Sequence, residues 1–209
     1  MSDLAKSVQI VAQAWKESSY YATAERYLDV FWGEGTVFKR LFDRLDLQAV
    51  LELACGHGRH AERVAPLAGH LTLMDVHEEN IAVCRTRLAR FPDVKCHVNN
   101  GYDFRPVPDR SLTAIFCYDA MVHFSPDLVE SYLHDTVRVL RPGGLALYHH
   151  SNYPAPLDRP YGENPHARNH MTQALFREYA SAAGLRIVES QVIDWGYDPS
   201  LDCVTLLAA

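Results

Sequence analysis

From Asp3 to about Leu45 the apolar residues return at helical spacing. Leu4, Val8, Val11, Ala12 and Trp15 recur three and four apart, a second amphipathic stretch covers Tyr20 to Phe31, and a third, Val37 to Leu45, follows the breaker WGEG. From Ala49 onward the texture changes to short apolar runs separated by amphipathic segments. AVLEL leads to GRHAERVAPLA, LTLMD to EENIAVCRTRLARF, and VKCHV follows; LTAIFCY leads to PDLVESYLHDTVRVL and LALYHH to TQALFREYASAAG. Alternation of this kind predicts crossover units, hence an α/β fold with a mostly parallel sheet and helices on both faces. RIVESQVIDWG and DCVTLLAA follow one another with no helix between them, which predicts an antiparallel hairpin at the sheet edge. LRPGG at 140–144 reads as a helix stop, and Ser151 to His170 is the one long irregular stretch. The change of texture divides the chain into an N-terminal helical cap or lid over 1–46 and a sheet domain over 47–209.

Composition narrows the functional classes. A hydrophobic fraction of 48% and a charged fraction of 22% are those of a globular chain. A net charge of -6 argues against a surface that neutralises nucleic-acid phosphates, which needs clustered Lys and Arg. Cys55, Cys84, Cys96, Cys117 and Cys203 are spread singly, without a CxxC pair or zinc-ligand spacing, and read as reduced thiols of a cytoplasmic protein. The N-terminal stretch is interrupted by charge throughout, unlike a signal peptide, and no apolar run is long enough to span a bilayer.

The stretch VLELACGHGRH, 50–60, closes the first predicted strand with Gly56 and Gly58 two apart. At the carboxyl end of a parallel strand, glycines let the backbone bend sharply and approach a ligand, while the following helix offers unpaired amides. A nucleotide-like ligand is implied. Aligned to the dinucleotide fingerprint, Gly56 and Gly58 place Ala61 at the third glycine position, so a nicotinamide-dependent oxidoreductase stays open as an alternative, weakened by the lack of a Tyr-x-x-x-Lys pair.

Read as Glu52, Ala54, Gly56 and Gly58, the stretch more closely resembles the ExGxGxG motif of class I S-adenosylmethionine-dependent methyltransferases, with Ala54 in place of the first glycine. LTLMDV ending in Asp75, NNGYDF after the third strand, CYDAMVHF at the end of the fourth and LRPGG before the fifth follow in that family's order, so the resemblance spans roughly Ala49 to Ala209. It implies a Rossmann-like sheet of seven strands, S-adenosyl-L-methionine as methyl donor and S-adenosyl-L-homocysteine as product. The donor-binding residues it implies are Glu52, Ala54, Gly56, Gly58, Arg59, Asp75, Tyr102, Asp103 and Tyr118, with Asp75 accepting the ribose hydroxyls, Asp103 the adenine amine, and the Tyr102 amide facing a ring nitrogen. Taken alone, Asp75 is equally a helix cap and NNGYDF a turn without a ligand.

A sulfonium methyl is already electrophilic, so such a protein chiefly aligns a nucleophile and, for an oxygen or nitrogen acceptor, removes a proton. The candidate bases are His123 or His150, with Asp119 a third base or an orienting group. His149 and His150 are neighbours on one strand and face opposite ways, so at most one of them meets a substrate. His57 with His60, and His166 with His170, lack a third ligand at diagnostic spacing, and no metal is expected. Loosely, HHSN, the loop DRPYGENPHARNHMT and the late Trp195-Gly196 and Asp202-Cys203 pairs resemble a bacterial subgroup of small-molecule methyltransferases, which makes Arg168, His170 and Trp195 walls of an acceptor pocket under the N-terminal helices. The fourth strand lacks the Asn/Asp-Pro-Pro-aromatic signature of enzymes that methylate exocyclic amines of bases, reading Tyr118-Asp119-Ala120 instead. A small-molecule acceptor (a metabolite, sugar or natural-product precursor) is therefore expected, without nucleic-acid or membrane partners. A donor-binding protein without catalysis is the alternative from another class.

Overall fold

Strands that are mostly apolar on both faces must be covered on both sides, and the central runs here, buried along β1 and β4, meet that condition. The computed structural model describes residues 3–209. Four helices precede the sheet: α1 (Asp3–Trp15), α2 (Tyr20–Thr23), α3 (Leu28–Trp32) and α4 (Val37–Phe42), with a 3₁₀ turn over Ala24–Tyr27. The strands are β1 (Ala49–Leu53), β2 (His70–Asp75), β3 (Val94–Val98), β4 (Leu112–Cys117), β5 (Leu140–Ser151), β6 (Arg186–Trp195) and β7 (Asp198–Ala208). Between them lie α5 (Ala61–Val64), α6 (Glu78–Arg87), α7 (Pro126–Val139) and α8 (Gln173–Ala182). Strand order is β3-β2-β1-β4-β5-β7-β6. The first five strands run parallel, and β7 runs antiparallel to both β5 and β6. The expected hairpin is therefore present, but inverted relative to chain order: β7 is interior and β6 forms the edge.

Alternation sends successive side chains to opposite cores. Val50, Ala114, Phe116, Leu147 and Val204 meet Phe38, Leu41 and Phe42 of α4 on one face. Leu51, Leu53, Ile115, Tyr148 and Leu207 meet Val129 and Leu133 of α7 and Phe176 of α8 on the other. The aromatic residues of α4 thus belong to the sheet's own core. Each fully buried aliphatic of α7, such as Val129 or Leu133, contributes about 2 kcal/mol by leaving water.

Local chemistry sets the helix limits. Thr172 caps α8 by accepting the Leu175 amide at 3.1 Å. Pro126 opens α7, where its missing N–H costs nothing. The helix expected over GRHAERVAPLA is a single turn, because Pro66 offers no amide to continue it. α7 ends at Val139 and β5 follows immediately at Leu140, ahead of the LRPGG glycines. Among the described residues no helix is long and apolar enough to cross a membrane.

Candidate functional site

The carboxyl end of β1 turns through three left-handed residues, Ala54 at φ +55°, Gly56 at +53° and Gly58 at +75°. For Ala54 that conformation costs about 1–2 kcal/mol, so the turn is imposed on a residue that resists it. Asp75, at the end of β2, holds it in place: its Oδ2 accepts the Gly56 amide at 2.9 Å, and its Oδ1 accepts the His77 amide at 2.9 Å and Asn80 Nδ2 at 3.1 Å. A carboxylate has about four lone-pair sites, so the clamp leaves capacity for a further donor. Gly58 has a different reason to be glycine. A Cβ there would lie 3.1 Å from Cys84 Sγ, so the turn packs directly on α6. Cys84 donates to the Gly56 carbonyl at 3.2 Å, and all five cysteines are free thiols.

Above this turn lies a cavity of about 970 Å³ of non-atom space, partly open to solvent. The N-terminal helices roof it. Tyr21 lies over Gly56, within 3.0 Å of where a Cβ would sit, and stacks on His57 at 4.8 Å. Trp15 packs on His123 at 4.3 Å. Val8 presses on Gly101, whose φ of +86° and lack of a side chain permit the approach.

Asp119, just past β4, is the polar junction of the site. It too is left-handed, at φ +57°. Its Oδ2 accepts Arg59 Nη2 at 2.7 Å and the Tyr20 hydroxyl, tying the roof to the sheet. Burial first, and then the Asp119 charge, raise the Tyr20 phenol above its ordinary range, so it acts as a donor here. The Asp119 amide donates to His149 Nδ1 at 3.0 Å, which leaves the ring proton on Nε2, directed at Asp202 Oδ2 2.9 Å away. Asp202 in turn holds Arg168 through Nε at 2.8 Å and Nη2 at 2.5 Å, and the Arg168 guanidinium sits 4.7 Å from the Trp195 ring centre. A continuous chain thus runs from Asp119 through His149, Asp202 and Arg168, all buried, to the half-buried Trp195. Burial alone raises the Asp202 carboxyl, but His149 and Arg168 outweigh it and hold it below the usual carboxylate range.

Of the residues singled out from sequence, Ala54, Gly56, Arg59, Asp75, Tyr118, Asp119 and His123 line this cavity. Others do not. Glu52 is buried beneath the turn with Oε2 unpartnered, and burial pushes its carboxyl well above the usual range. The Tyr102 amide donates to Asn100 Oδ1 at 3.0 Å and Asp103 Oδ1 accepts the Arg105 amide at 2.8 Å, so both are held within their own loop; Asn99 and Gly101 of the same loop face the cavity instead. His170 bonds the Ala155 carbonyl at 2.5 Å. His150 lies on the far side of the sheet, stacked on Phe176 at 3.8 Å with Nε2 3.0 Å from Thr205 Oγ1, because strand alternation gives it the parity of Tyr148 rather than of His149. Sequence reading also passed over Tyr20, Tyr21 and His77, which line the cavity but belong to no motif, and weighed His60 only as half of a metal-ligand pair; His60 and His77 each carry a buried Nε2 without a partner. Among the described residues no group of three or more His, Cys, Asp or Glu side chains is placed to hold a metal ion.

Burial lowers His150 to about 3 and His123 to about 4, with Arg168 adding to the effect at His123. Both folded values lie below the free-histidine value, so the stability these neutral rings contribute is complete above about pH 6.5 and is lost as pH falls through the folded values. Melting temperature is therefore expected to fall between pH 6.5 and 4. In His150→Asn the acid-induced loss should be smaller by on the order of 3 kcal/mol, with S-adenosylhomocysteine affinity unchanged within about twofold, measured by calorimetric melting and titration. A large loss of nucleoside affinity would place His150 back in the site.

Residues 50–144 match the family model described as a methyltransferase domain. A Mycolicibacterium smegmatis protein named "probable S-adenosylmethionine-dependent methyltransferase" is 28% identical over 74% of this chain and 58% of its own length. The chain spans about half the length of the curated relatives it matches. Among solved structures, a chain of the complex between the Haloferax volcanii Trm112 methyltransferase activator and "the putative methyltransferase" superposes with a TM-score of 0.66 at 18% identity, over 91% of this chain and 96% of its own. The [4+2]-cyclase SpnF superposes at 0.65 with 18% identity, over 91% and 82%. At those identities the likeness is one of fold, and that fold serves more than one chemistry.

Proposed function

We propose that the chain is a class I S-adenosylmethionine-dependent methyltransferase that moves the donor's methyl group to an oxygen or nitrogen of a small molecule. The observation that carries the reading is the Asp75-clamped, left-handed turn opening into a cavity that ends at a carboxylate, Asp119. The residues suit an adenosyl sulfonium: Ala54, Cys55 and Gly56 line the cavity beneath Tyr21, Asp75 retains hydrogen-bonding capacity, and Asn99, Gly101 and His77 border the same space. When bound, the donor supplies a methyl carbon already activated by its positive sulfur.

The chain's own residues have three tasks. Ala54, Gly56 and Asp75 would hold the nucleoside, and Arg59 borders the same cavity. The N-terminal helices act as a lid that excludes water, and since Tyr21 and Val8 rest on the turn and its neighbouring loop, donor entry requires them to lift. Asp119 takes the acceptor's proton as the new bond to carbon forms and the carbon–sulfur bond breaks. His123 is the second candidate. Its Nδ1 faces the Ala167 carbonyl at 2.9 Å and so carries the proton, leaving Nε2 basic, but burial makes the ring a weak base.

Calorimetry is expected to show S-adenosylhomocysteine binding, and methyl-labelled donor incubated with a small-molecule extract is expected to give labelled product. Asp119→Asn should lower turnover by about 100-fold or more while keeping nucleoside binding. Folded protein that ignores the nucleoside would overturn the reading. Binding without any transfer would favour a donor-binding protein, and tight NADH binding an oxidoreductase.

A further inference from the structure

A second cavity, about 1120 Å³ of non-atom space with an open mouth, lies between the N-terminal helices and the β6–β7 hairpin. It shares two walls, Tyr20 and Tyr118, with the first. We propose that it is the acceptor site and that it takes a flat aromatic ring rather than a sugar or another polyhydroxylated molecule; this rests on the methyl-transfer reading above.

Six rings form its walls: Tyr20, Tyr27, Phe31, Phe38, Tyr118 and Trp195. Phe31 and Trp195 lie nearly parallel with centres 5.3 Å apart, and Phe31 meets Tyr118 edge-on at 5.1 Å. Such an array offers faces and edges that complement another π system. Four of the polar side chains on the wall are already engaged. Thr36 Oγ1 donates to the Phe31 carbonyl and accepts the Lys39 amide. Asp194 Oδ1 accepts the Ser200 amide at 2.8 Å, His166 is paired with Asp198 at 3.0 Å, and the Tyr20 hydroxyl is bound to Asp119. The Tyr27 and Tyr118 hydroxyls and the Trp195 indole N–H remain on the wall, too few for the several hydroxyls of a sugar, whereas a ring bearing one nucleophilic atom needs only one polar contact.

The walls are built to hold their positions, and they are built onto the reaction site. Trp195 is backed by the Arg168 guanidinium, itself only 2% exposed, and Arg59 backs Phe31 at 5.3 Å. Through Asp202 and His149 the support of Trp195 continues to the Asp119 amide. Tyr20 lines both cavities and its hydroxyl is bonded to Asp119, so an acceptor hydroxyl or amine that displaces it arrives at the carboxylate that receives its proton.

The test is a titration of 1-naphthol and its saturated counterpart, decahydro-1-naphthol, into the protein with and without saturating S-adenosylhomocysteine. 1-Naphthol is expected to bind about tenfold or more tightly than the saturated alcohol, without competing with the nucleoside. Trp195→Leu, which keeps the pocket apolar, should weaken 1-naphthol by about tenfold and leave S-adenosylhomocysteine within about twofold. Equal binding of the two alcohols, preferential binding of methyl glucoside, or competition with the nucleoside would overturn the assignment. The comparison in the unsubstituted protein decides even if the variant folds poorly. Loss of nucleoside binding alone would instead remove the methyl-transfer reading, since the ring titration is also read without nucleoside.

Discussion

Asp202→Ala is expected to lower the unfolding free energy by about 3–5 kcal/mol and the melting temperature by roughly 10 °C, the largest stability change for any single polar residue of the site. The reason is what it would abandon. Asp202 is fully buried on β7 and accepts three hydrogen bonds, one from His149 and two from Arg168, whose guanidinium has almost no contact with water. Removing the carboxylate leaves a positive charge in the interior with its main partner gone, which costs far more than the pair contributes by existing. Asp202→Asn should be milder, because it keeps an acceptor oxygen but loses the charge. The same carboxylate is held below its ordinary range, so its contribution is present above the unfolded value, near pH 4, and disappears only in stronger acid. Thermal melts from pH 7 to 2 check both points: the variant curve should converge on the parent curve at the acid end.

Asp75→Ala is expected to reduce S-adenosylhomocysteine affinity by about 100-fold, equivalent to roughly 3 kcal/mol, with a smaller fall in stability. Two effects add. A charged acceptor facing the cavity is lost, and three donors that now converge on it, the Gly56 and His77 amides and Asn80 Nδ2, lose the group that fixes the turn. With the clamp gone, Ala54 is free to relax from its left-handed conformation, so the cradle loses its shape as well as its charge. Isothermal titration reads the affinity. A change of less than about threefold would mean that Asp75 serves only the turn.

The order of strands and helices was legible because the runs 50–53 and 112–117 are apolar apart from Glu52 and Thr113 and are separated by segments of clear helical period. The inversion of the last two strands was not. A hairpin read from sequence has no label saying which of its strands pairs inward, although the unbroken apolar run CVTLLA in β7, against the more polar RIVESQ in β6, hints at it. The glycine turn was legible down to Asp75, and Ala54 fell where a small residue was expected; its positive φ is a property of the turn and not of alanine. Alternation correctly separated His149 from His150 but could not say which one faces the site, since parity depends on register with β4 and β7. Tyr20 and Tyr21 were visible only as members of an aromatic-rich stretch. Their partners, Asp119 and Gly56, lie 99 and 35 positions away, and no local pattern encodes a contact at that range.

Placing β7 between β5 and β6 has a consequence for how the molecule is assembled. β5 finds its neighbour only after β6 and the turn that follows it have been synthesised, and until then its backbone donors and acceptors lie open along one side. During that interval the nascent chain carries an exposed, apolar strand margin of the kind that invites pairing with other chains. A ribosome-bound or truncated product lacking residues 198–208 would depend on chaperones in a way the finished protein does not.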